Sequence, residues 1–486
     1  MANLKIVLVS PPFSYGKVNI LGPKSPRLGL AQLAACLREQ GYGNIRIIDA
    51  TAMDYGEREV VEAILNEEPA FVGFTATTTE YPIVLKIAEK LKKERSSVCC
   101  VIGGPHITVM PETFRGDVFD YAVIGEGEKT ILELMDYVFH AKGDVSRIKG
   151  LAFTRNAKLI STDQREFLQD LDTLPMPAHD LLPVDHYRPP AMSDRGRLFT
   201  CMITSRGCPF QCSFCSSSRI FGRRIRSRSV EKVIEEIDYL QDRFGISHIY
   251  FQDDEFIVNR KRLLAFCDAM KKRKRNCIWD CLGRVSDIDE EVARAMAEAG
   301  CIGIIFGAEF GYQEGLDRVG KRITLDMTRK AIRVTKAVGI SARASFMMGF
   351  PWEGEKEIRK TIDFAMDIKA DILALQIFIP YPGTEIYQQM LDENLIVNRE
   401  WSDYIQHSIS GTRPIIRTRH ISDTDLKRLN NAAFRRMLTS PFYVFRVLSQ
   451  IKSFRQFYRI AVGGASVLLM SAKDPVNAKQ TKESDV

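Results

Sequence analysis

Cys208-Pro-Phe-Gln-Cys212-Ser-Phe-Cys215 gathers three of the chain's eleven cysteines within eight residues of a 486-residue sequence. Thiolates hold iron–sulfur clusters, and a complete set has four; three with no obvious fourth leave one iron open to a further ligand. Zinc is the metal alternative, but it favours CxxC pairs or histidines, and no histidine follows before His248. Three cysteines brought together by chance are the remaining reading. Gly207 precedes the triad, which places it in a loop rather than inside a helix or strand.

Other polar groups could serve such a centre. Gln252-Asp253-Asp254-Glu255 sets three carboxylates side by side, which suits an ammonium ligand or a solvated acidic turn. Arg284 can grip a carboxylate bidentately or form a surface salt bridge. Nearer the N-terminus, Ser10-Pro11-Pro12-Phe13-Ser14-Tyr15, Thr75-Ala76-Thr77, Gly103-Gly104-Pro105-His106 and Gly125-Glu126-Gly127-Glu128 each follow an apolar run. Glycine pairs let backbone approach a bulky ligand, or simply make the turn. No Gly-x-Gly-x-x-Gly follows the first run, which disfavours a dinucleotide.

The elements that must position these groups alternate. Short apolar strands at 5–9, 45–49, 71–75, 99–103 and 121–124 are separated by amphipathic helices at 29–40, 57–67, 81–94 and 129–140. This rhythm predicts a doubly wound parallel sheet of flavodoxin-like type, which binds ligands beyond its strand C-termini. Residues 146–196 break it with a small hairpin turning at Asn156 and a proline-rich stretch from Pro175 to Pro190, read as a linker. Six further strands, at 199–205, 248–252, 278–283, 303–307, 344–348 and 373–379, alternate with helices and predict a partial (β/α)6 barrel with its site at the strand C-termini. The expected divisions are 1–145, 146–196, 197–391 and a mainly helical 392–486, whose last dozen residues read as disordered.

Composition is that of a water-soluble α/β protein, with 45% hydrophobic and 27% charged residues and a modest net charge of +7. The apolar start is too short for a signal peptide, and Ala461 to Met470 is only half the length of a span. Eleven cysteines without an export signal fit a reducing cytoplasm. Arg219, Arg223, Arg224, Arg226 and Arg228 follow the triad as an anion-attracting or merely solvated loop, and Lys271 to Arg275 complements a helix end. Neither run interleaves aromatics, so nucleic acid is not an expected partner. Cys281 reads as a small buried hydrophobe. The C-terminal Phe442, Tyr443, Phe445, Phe454, Phe457 and Tyr458, mixed with arginines, would cap the barrel or rest peripherally on a membrane, with the cap the favoured reading.

CxxxCxxC with Phe214 before its last cysteine, on the first loop of a partial barrel, resembles the radical S-adenosylmethionine superfamily. The ordered tracts of residues 4–140, with Arg27-Leu-Gly-Leu opening the first helix, resemble the cobalamin-binding domains found ahead of such barrels. The resemblance covers residues 4–390 and is similar to cobalamin-dependent radical methyltransferases and to anaerobic magnesium-protoporphyrin monomethyl ester cyclase. It implies a 4Fe–4S cluster on Cys208, Cys212 and Cys215, and S-adenosylmethionine contacts from Phe214, Asp253, Asp254, Glu255, Arg284 and Glu309, with the turn at 380–384 on the adenine side. It implies cobalamin contacts from Ser10, Pro11, Thr75, Thr77, Gly103, Gly104, Gly125 and Glu126. The family's cobalt-ligating Asp-x-His-x-x-Gly is missing after the first strand, so the corrinoid is expected without a histidine on cobalt, and His106 reads as a loop residue. The implied activity is methylation of an unactivated carbon of a small molecule or lipid through a 5′-deoxyadenosyl radical and methylcobalamin. A cyclase or ring-rearranging enzyme with the same cofactors is the alternative, and a non-catalytic corrinoid sensor a third reading. An electron donor such as flavodoxin or ferredoxin and a monomeric state are expected with it.

Overall fold

The computed structural model describes residues 4–13, 21–273, 275–405 and 413–472. Ser14 and Tyr15 of the first loop, and the tail read as disordered, lie outside the described residues.

Strands β1 (Ile6–Ser10), β2 (Ile45–Asp49), β3 (Phe71–Thr75), β4 (Cys99–Gly103) and β5 (Tyr121–Val123) form a parallel sheet in the order β2-β1-β3-β4-β5. That is the flavodoxin-like order expected. Every residue of β1 is buried because helices cover both faces. Val7, Val9, Val72 and Phe74 meet one helical layer, while Ile6, Leu8 and Phe71 meet the other. The hairpin assigned above to the linker belongs to this sheet instead. Strands β6 (Leu151–Arg155) and β7 (Lys158–Ser161) extend it antiparallel beyond β5, through a turn in which Asn156 and Ala157 both take positive φ.

The proline-rich stretch is not a tether. Ala178, Leu182 and Tyr187 enter the same core as Ile6 and Leu8, and so do Phe199 and Cys201 of the next domain. Ala178 N donates to Ala31 O (3.0 Å), Gln32 Nε2 to Pro175 O (2.9 Å) and the Tyr187 hydroxyl to Asp49 (2.8 Å). Proline removes donors that such a wedge could not satisfy, so it is tolerated in buried irregular chain.

The second sheet begins with β8 (Phe199–Met202). A two-stranded antiparallel ribbon follows, β9 (Ser205–Arg206) with β10 (Arg226–Ser227), and then β11 (His248–Phe251), β12 (Ile278–Gly283), β13 (Cys301–Glu309), β14 (Ser341–Met348) and β15 (Ile372–Ile377). The six long strands run parallel in the order β15-β14-β13-β12-β11-β8, the partial barrel expected. Ser229, Asn259, Asp289, Thr324 and Thr384 each cap the helix that follows them, which is why the helical periodicity was readable to within a residue or two.

An open barrel leaves β15 at the edge of its sheet, paired to β14 alone among the described strands, and helix Asp423–Thr439 packs against it. The chain then returns across the molecule. Asp194, fully buried in the wedge, accepts from Arg455 (2.8 Å from both Nε and Nη2) and from Arg459 Nη1 (2.7 Å) on helix Phe454–Ala472. Removing one partner of a buried charge cluster leaves the others uncompensated. Asp194→Ala is therefore expected to lower unfolding stability by on the order of 3 kcal/mol in urea titrations, whereas Asp326→Ala at an exposed helix terminus should cost well under half as much.

Candidate functional site

The cysteine loop is clamped at its base. The β9–β10 ribbon closes residues 207–225, and Cys208 N donates to Gly222 O (3.2 Å). Gly207 sits at φ +92° with its missing Cβ facing Arg224 O at 2.3 Å, so any side chain there would force the strands of the loop apart. Further out, Cys215 N bonds Cys212 O (3.0 Å), Ser213 N bonds Val319 O (3.1 Å), and Ser213 O accepts from Ile386 N (3.3 Å). The last contact ties the helix that follows the 380–384 turn, Glu385–Asp392, to the loop. The Phe214 ring packs 6.0 Å from Phe350, part of an aromatic wall continued by Phe378 and Trp352.

All three cysteines are free and partly buried. Burial, reinforced by Glu255 and Asp254, pushes the Cys208 thiol up to about 12, and burial pushes Cys215 up to about 11. Such thiols become thiolates when a metal offsets the cost. Among the described residues no group of three or more His, Cys, Asp or Glu gathers tightly enough for a single ion. Three cysteines on one loop are the donor set of an iron–sulfur cluster with one iron left open, so the residues present fit that group.

The three adjacent carboxylates separate into three tasks. Asp253 is fully buried and accepts from Thr204 N (2.7 Å), Thr204 Oγ1 (2.6 Å) and Ser205 Oγ (2.6 Å). It pins the end of β8 to the end of β11, so it positions the site and does not reach a ligand, contrary to its expected contact. Asp254 accepts from Ser217 Oγ (2.5 Å) at the start of helix Ser217–Phe221. Glu255 keeps a buried Oε2 with no hydrogen-bond partner, and burial raises its carboxyl to about 7 while Lys321 and Arg284 pull it down. Arg284, also buried, lies over the Phe210 ring at 3.7 Å and keeps Nη2 unbonded. An unbonded guanidinium nitrogen and an unbonded carboxylate oxygen near the cysteines fit the two charged ends of an amino acid, and so fit S-adenosylmethionine.

Glu309 ends β13 at φ +61° and receives Lys321 Nζ at 2.7 Å. Burial works against the Lys321 charge, yet Glu309, with Cys212 and Glu255 nearby, holds its pKa above the ordinary value. Lys321 was absent from the expected site, and only its place in the segment 319–321 that backs the cysteine loop could have flagged it. Glu353 was missed as well. It receives Gly349 N (2.7 Å) and Phe350 N (2.9 Å) and so shapes the turn that presents Phe350, signalled by Gly-Phe-Pro-Trp-Glu-Gly at a strand end. Cys281 is fully buried, as read.

A cavity of about 600 Å³ extends from the strand ends of the first sheet into the barrel. Thr75, Thr77, Gly103, Gly104 and Gly125 line one side; Phe221, Gln252 and Tyr250 line the other, with the buried Arg343–Asp280 pair (2.5 Å) toward the strand starts. Gly125 (φ +82°) faces open space, and a Cβ on Gly104 (φ +97°) would meet Thr75 Oγ1 at 2.5 Å and Ala76 N at 2.9 Å. Gly103, Gly104 and Gly125 thus keep this wall close to the backbone, which fits a bulky ring such as a corrin. Ser10 and Pro11 do not line it: both are buried at the end of β1, and Phe13 reaches the cavity instead. Thr77 Oγ1 donates to Glu80 (2.8 Å), and both Glu126 oxygens are engaged by arginines, so neither side chain is free for a ligand.

His106 is not a loop residue but part of the short helix Pro105–Val109, fully buried against Tyr81 and Trp401. Its two nitrogens meet Thr78 Oγ1 (3.3 Å) and Thr113 Oγ1 (3.2 Å), which leaves none for cobalt. The basic run after the triad also divides: Arg226 is buried on Glu126 and Arg228 pairs with Glu236, while Arg219, Arg223 and Arg224 are exposed.

A Radical SAM superfamily model matches residues 202–365, and a B12 binding domain model matches residues 18–135. The chain is 35% identical over 436 residues to an uncharacterized methyltransferase of Pyrococcus horikoshii, across 89% of this chain and 92% of that one. It is 29% identical over 412 residues to the anaerobic magnesium-protoporphyrin IX monomethyl ester cyclase of Rubrivivax gelatinosus, covering 83% and 73%. Among solved structures, the cobalamin-dependent S-adenosylmethionine radical enzyme OxsB with aqua-cobalamin bound shares the fold, with a TM-score of 0.71 at 18% identity over 96% of this chain and 72% of that one.

Two outcomes test the cradle and the buried imidazole. Gly104→Ala should strip the corrinoid from purified protein while leaving cluster absorbance intact, read from visible spectra. Burial lowers His106 from 6.5 to about 4, so the unfolded chain takes up this proton first. Stability from this group is full above its unfolded value and declines as pH falls toward 4, by up to about 3 kcal/mol. A His106→Gln variant should show a flatter melting profile between those limits.

Proposed function

The chain belongs to the radical SAM superfamily, with a B12-binding domain ahead of its barrel, and on that premise we propose that it methylates an unactivated carbon of a small molecule or lipid. It is an enzyme that takes a 4Fe–4S cluster, S-adenosylmethionine and cobalamin. When bound, these supply a 5′-deoxyadenosyl radical and a transferable methyl group.

The protein's part is to hold, orient and exclude. Cys208, Cys212 and Cys215 would carry the cluster, and Arg284 and Glu255 would take the carboxylate and ammonium of the sulfonium cofactor. Asp253 keeps these strand ends in register, and Glu353 keeps Phe350 in the wall beside Phe214. That wall of aromatic rings would help to keep water from the site. The observation that carries the reading is one cavity lined both by the Gly103–Gly104 cradle and by Gln252, next in sequence to Asp253, Asp254 and Glu255, where one substrate would face both cofactors. The engaged nitrogens of His106 support a corrinoid without a histidine below cobalt. A small one-electron carrier such as flavodoxin or ferredoxin would reduce the cluster, and the enzyme would act as a monomer.

Feeding methyl-deuterated methionine to a producing strain and to a deletion strain tests this directly. The expected result is a metabolite or lipid that carries the intact labelled methyl group only when the gene is present, and is lost in a Cys212→Ala strain. A gene-dependent product without label would overturn methylation and favour the cyclase-type alternative.

A further inference from the structure

The two last helices take no part in the site, and each has one face bound and one face open. On Pro441–Ser449, Tyr443 is buried and Arg446 pairs with Asp371 (2.5 Å). On Phe454–Ala472, Gln456, Arg459 and Gly463 are buried at helical spacing against the wedge and residues 21–22. The opposite faces carry Phe445 and Leu448 on the first helix and Phe454, Phe457 and Tyr458 on the second, with Phe445 72% and Phe454 82% exposed. Seven of the eleven large hydrophobic side chains exposed among the described residues fall between Val444 and Val462, so this exposure is concentrated and not scattered.

Charge identifies what suits that surface. From Leu426 to Ala472 the sequence has no Asp or Glu and eight Lys or Arg. Some of these cations reach back to acids of the barrel or wedge, as Arg436 does to Asp363 and Arg455 to Asp194. Arg435 and Lys452 are exposed and form no ion pair among the described residues. A second copy would bring another cationic, acid-free face and be repelled. No helix of the described residues is long and apolar enough to cross a bilayer, so a lipid contact there must be interfacial. Aromatic and leucine side chains flanked by cations are the composition that enters a headgroup layer of negative charge.

We propose that the open faces of these helices dock the enzyme peripherally on an anionic membrane surface. The same contact places the cavity close to the bilayer. Ser193 lines the cavity, and its neighbour Asp194 holds the docking helix through Arg455 and Arg459.

The test uses the full chain, purified anaerobically with its cofactors, and co-sedimentation with vesicles. Phosphatidylcholine vesicles containing a quarter phosphatidylglycerol should bind it about tenfold more tightly than pure phosphatidylcholine, with the difference shrinking at high salt. A Phe445→Glu/Phe454→Glu double variant should lose about tenfold on the anionic vesicles while keeping its circular dichroism and corrinoid content. Equal sedimentation of wild type and variant would overturn the proposal. So would wild-type protein that ignores both vesicle types and either self-associates through this face or captures an acidic protein there. Because the readout is binding, its failure leaves methyl transfer standing, and loss of methyl transfer leaves docking standing.

Discussion

Everything at this site depends on holding a loop of one domain against a loop of another, and that task falls to a buried charge cluster. Glu126, in the turn after β5, accepts from Arg206 (2.9 Å) and Arg226 (2.8 Å), the two residues that pair across the ribbon at the base of the cysteine loop. Glu128 takes the other end of Arg206 (2.6 Å), and Leu168 N from the wedge completes the coordination of Glu126 (2.8 Å). Buried ion pairs add little net stability once desolvation is counted, but they tolerate no displacement. The glycine-lined cavity wall at Gly103–Gly104 and Gly125 is thereby registered to the cysteine loop by directional bonds. Apolar packing alone would permit sliding.

The polar groups around the cysteines obey a similar economy. Of the charged side chains at the strand ends, most are already committed: Asp253 to Thr204 and Ser205, Asp254 to Ser217, Glu309 to Lys321. Glu255 and Arg284 retain unbonded buried atoms there, one of each sign, and Asp287 beside them keeps a second unbonded carboxylate oxygen. Such orphans are costly in a folded protein unless something recurrently satisfies them. A zwitterion does so with one molecule.

Much of the architecture was legible in the sequence, because period and capping are local. β2, β3, β4 and β12 fall where their apolar runs predict, and four of the barrel helices begin at Ser229, Asn259, Asp289 and Thr324 caps. The cysteine triad was legible for the same reason, since its chemistry resides in spacing. What spacing does not reveal is direction. Asp253, Asp254 and Glu255 are consecutive, yet only the fold decides that the first turns into β8 and the last toward Arg284. Glu126 looked like a ligand contact because it stands between glycines, whereas its partners lie 80 and 100 residues away. Lys321 was unreadable because its role comes from a long-range backbone contact, Ser213 N to Val319 O. The wedge misled in the opposite way: prolines signal absent helix, and burial of such chain becomes visible only with its partners in place.

The shared core has a consequence for how the chain comes into being. One face of the first sheet is closed by its own helices, whereas on the other the helices Leu28–Glu39 and Glu128–His140 share the core with Ala178, Leu182 and Tyr187 and then with Phe199 and Cys201. During synthesis, the first 160 or so residues emerge as a sheet with helices on both faces but with part of one core still open, as expected when folding proceeds from the N-terminus. That interval ends only when the strand bearing the cysteine loop is laid down. The glycine cradle and the cysteine loop therefore reach their final packing together, and a nascent chain stalled between them would keep that part of the core open.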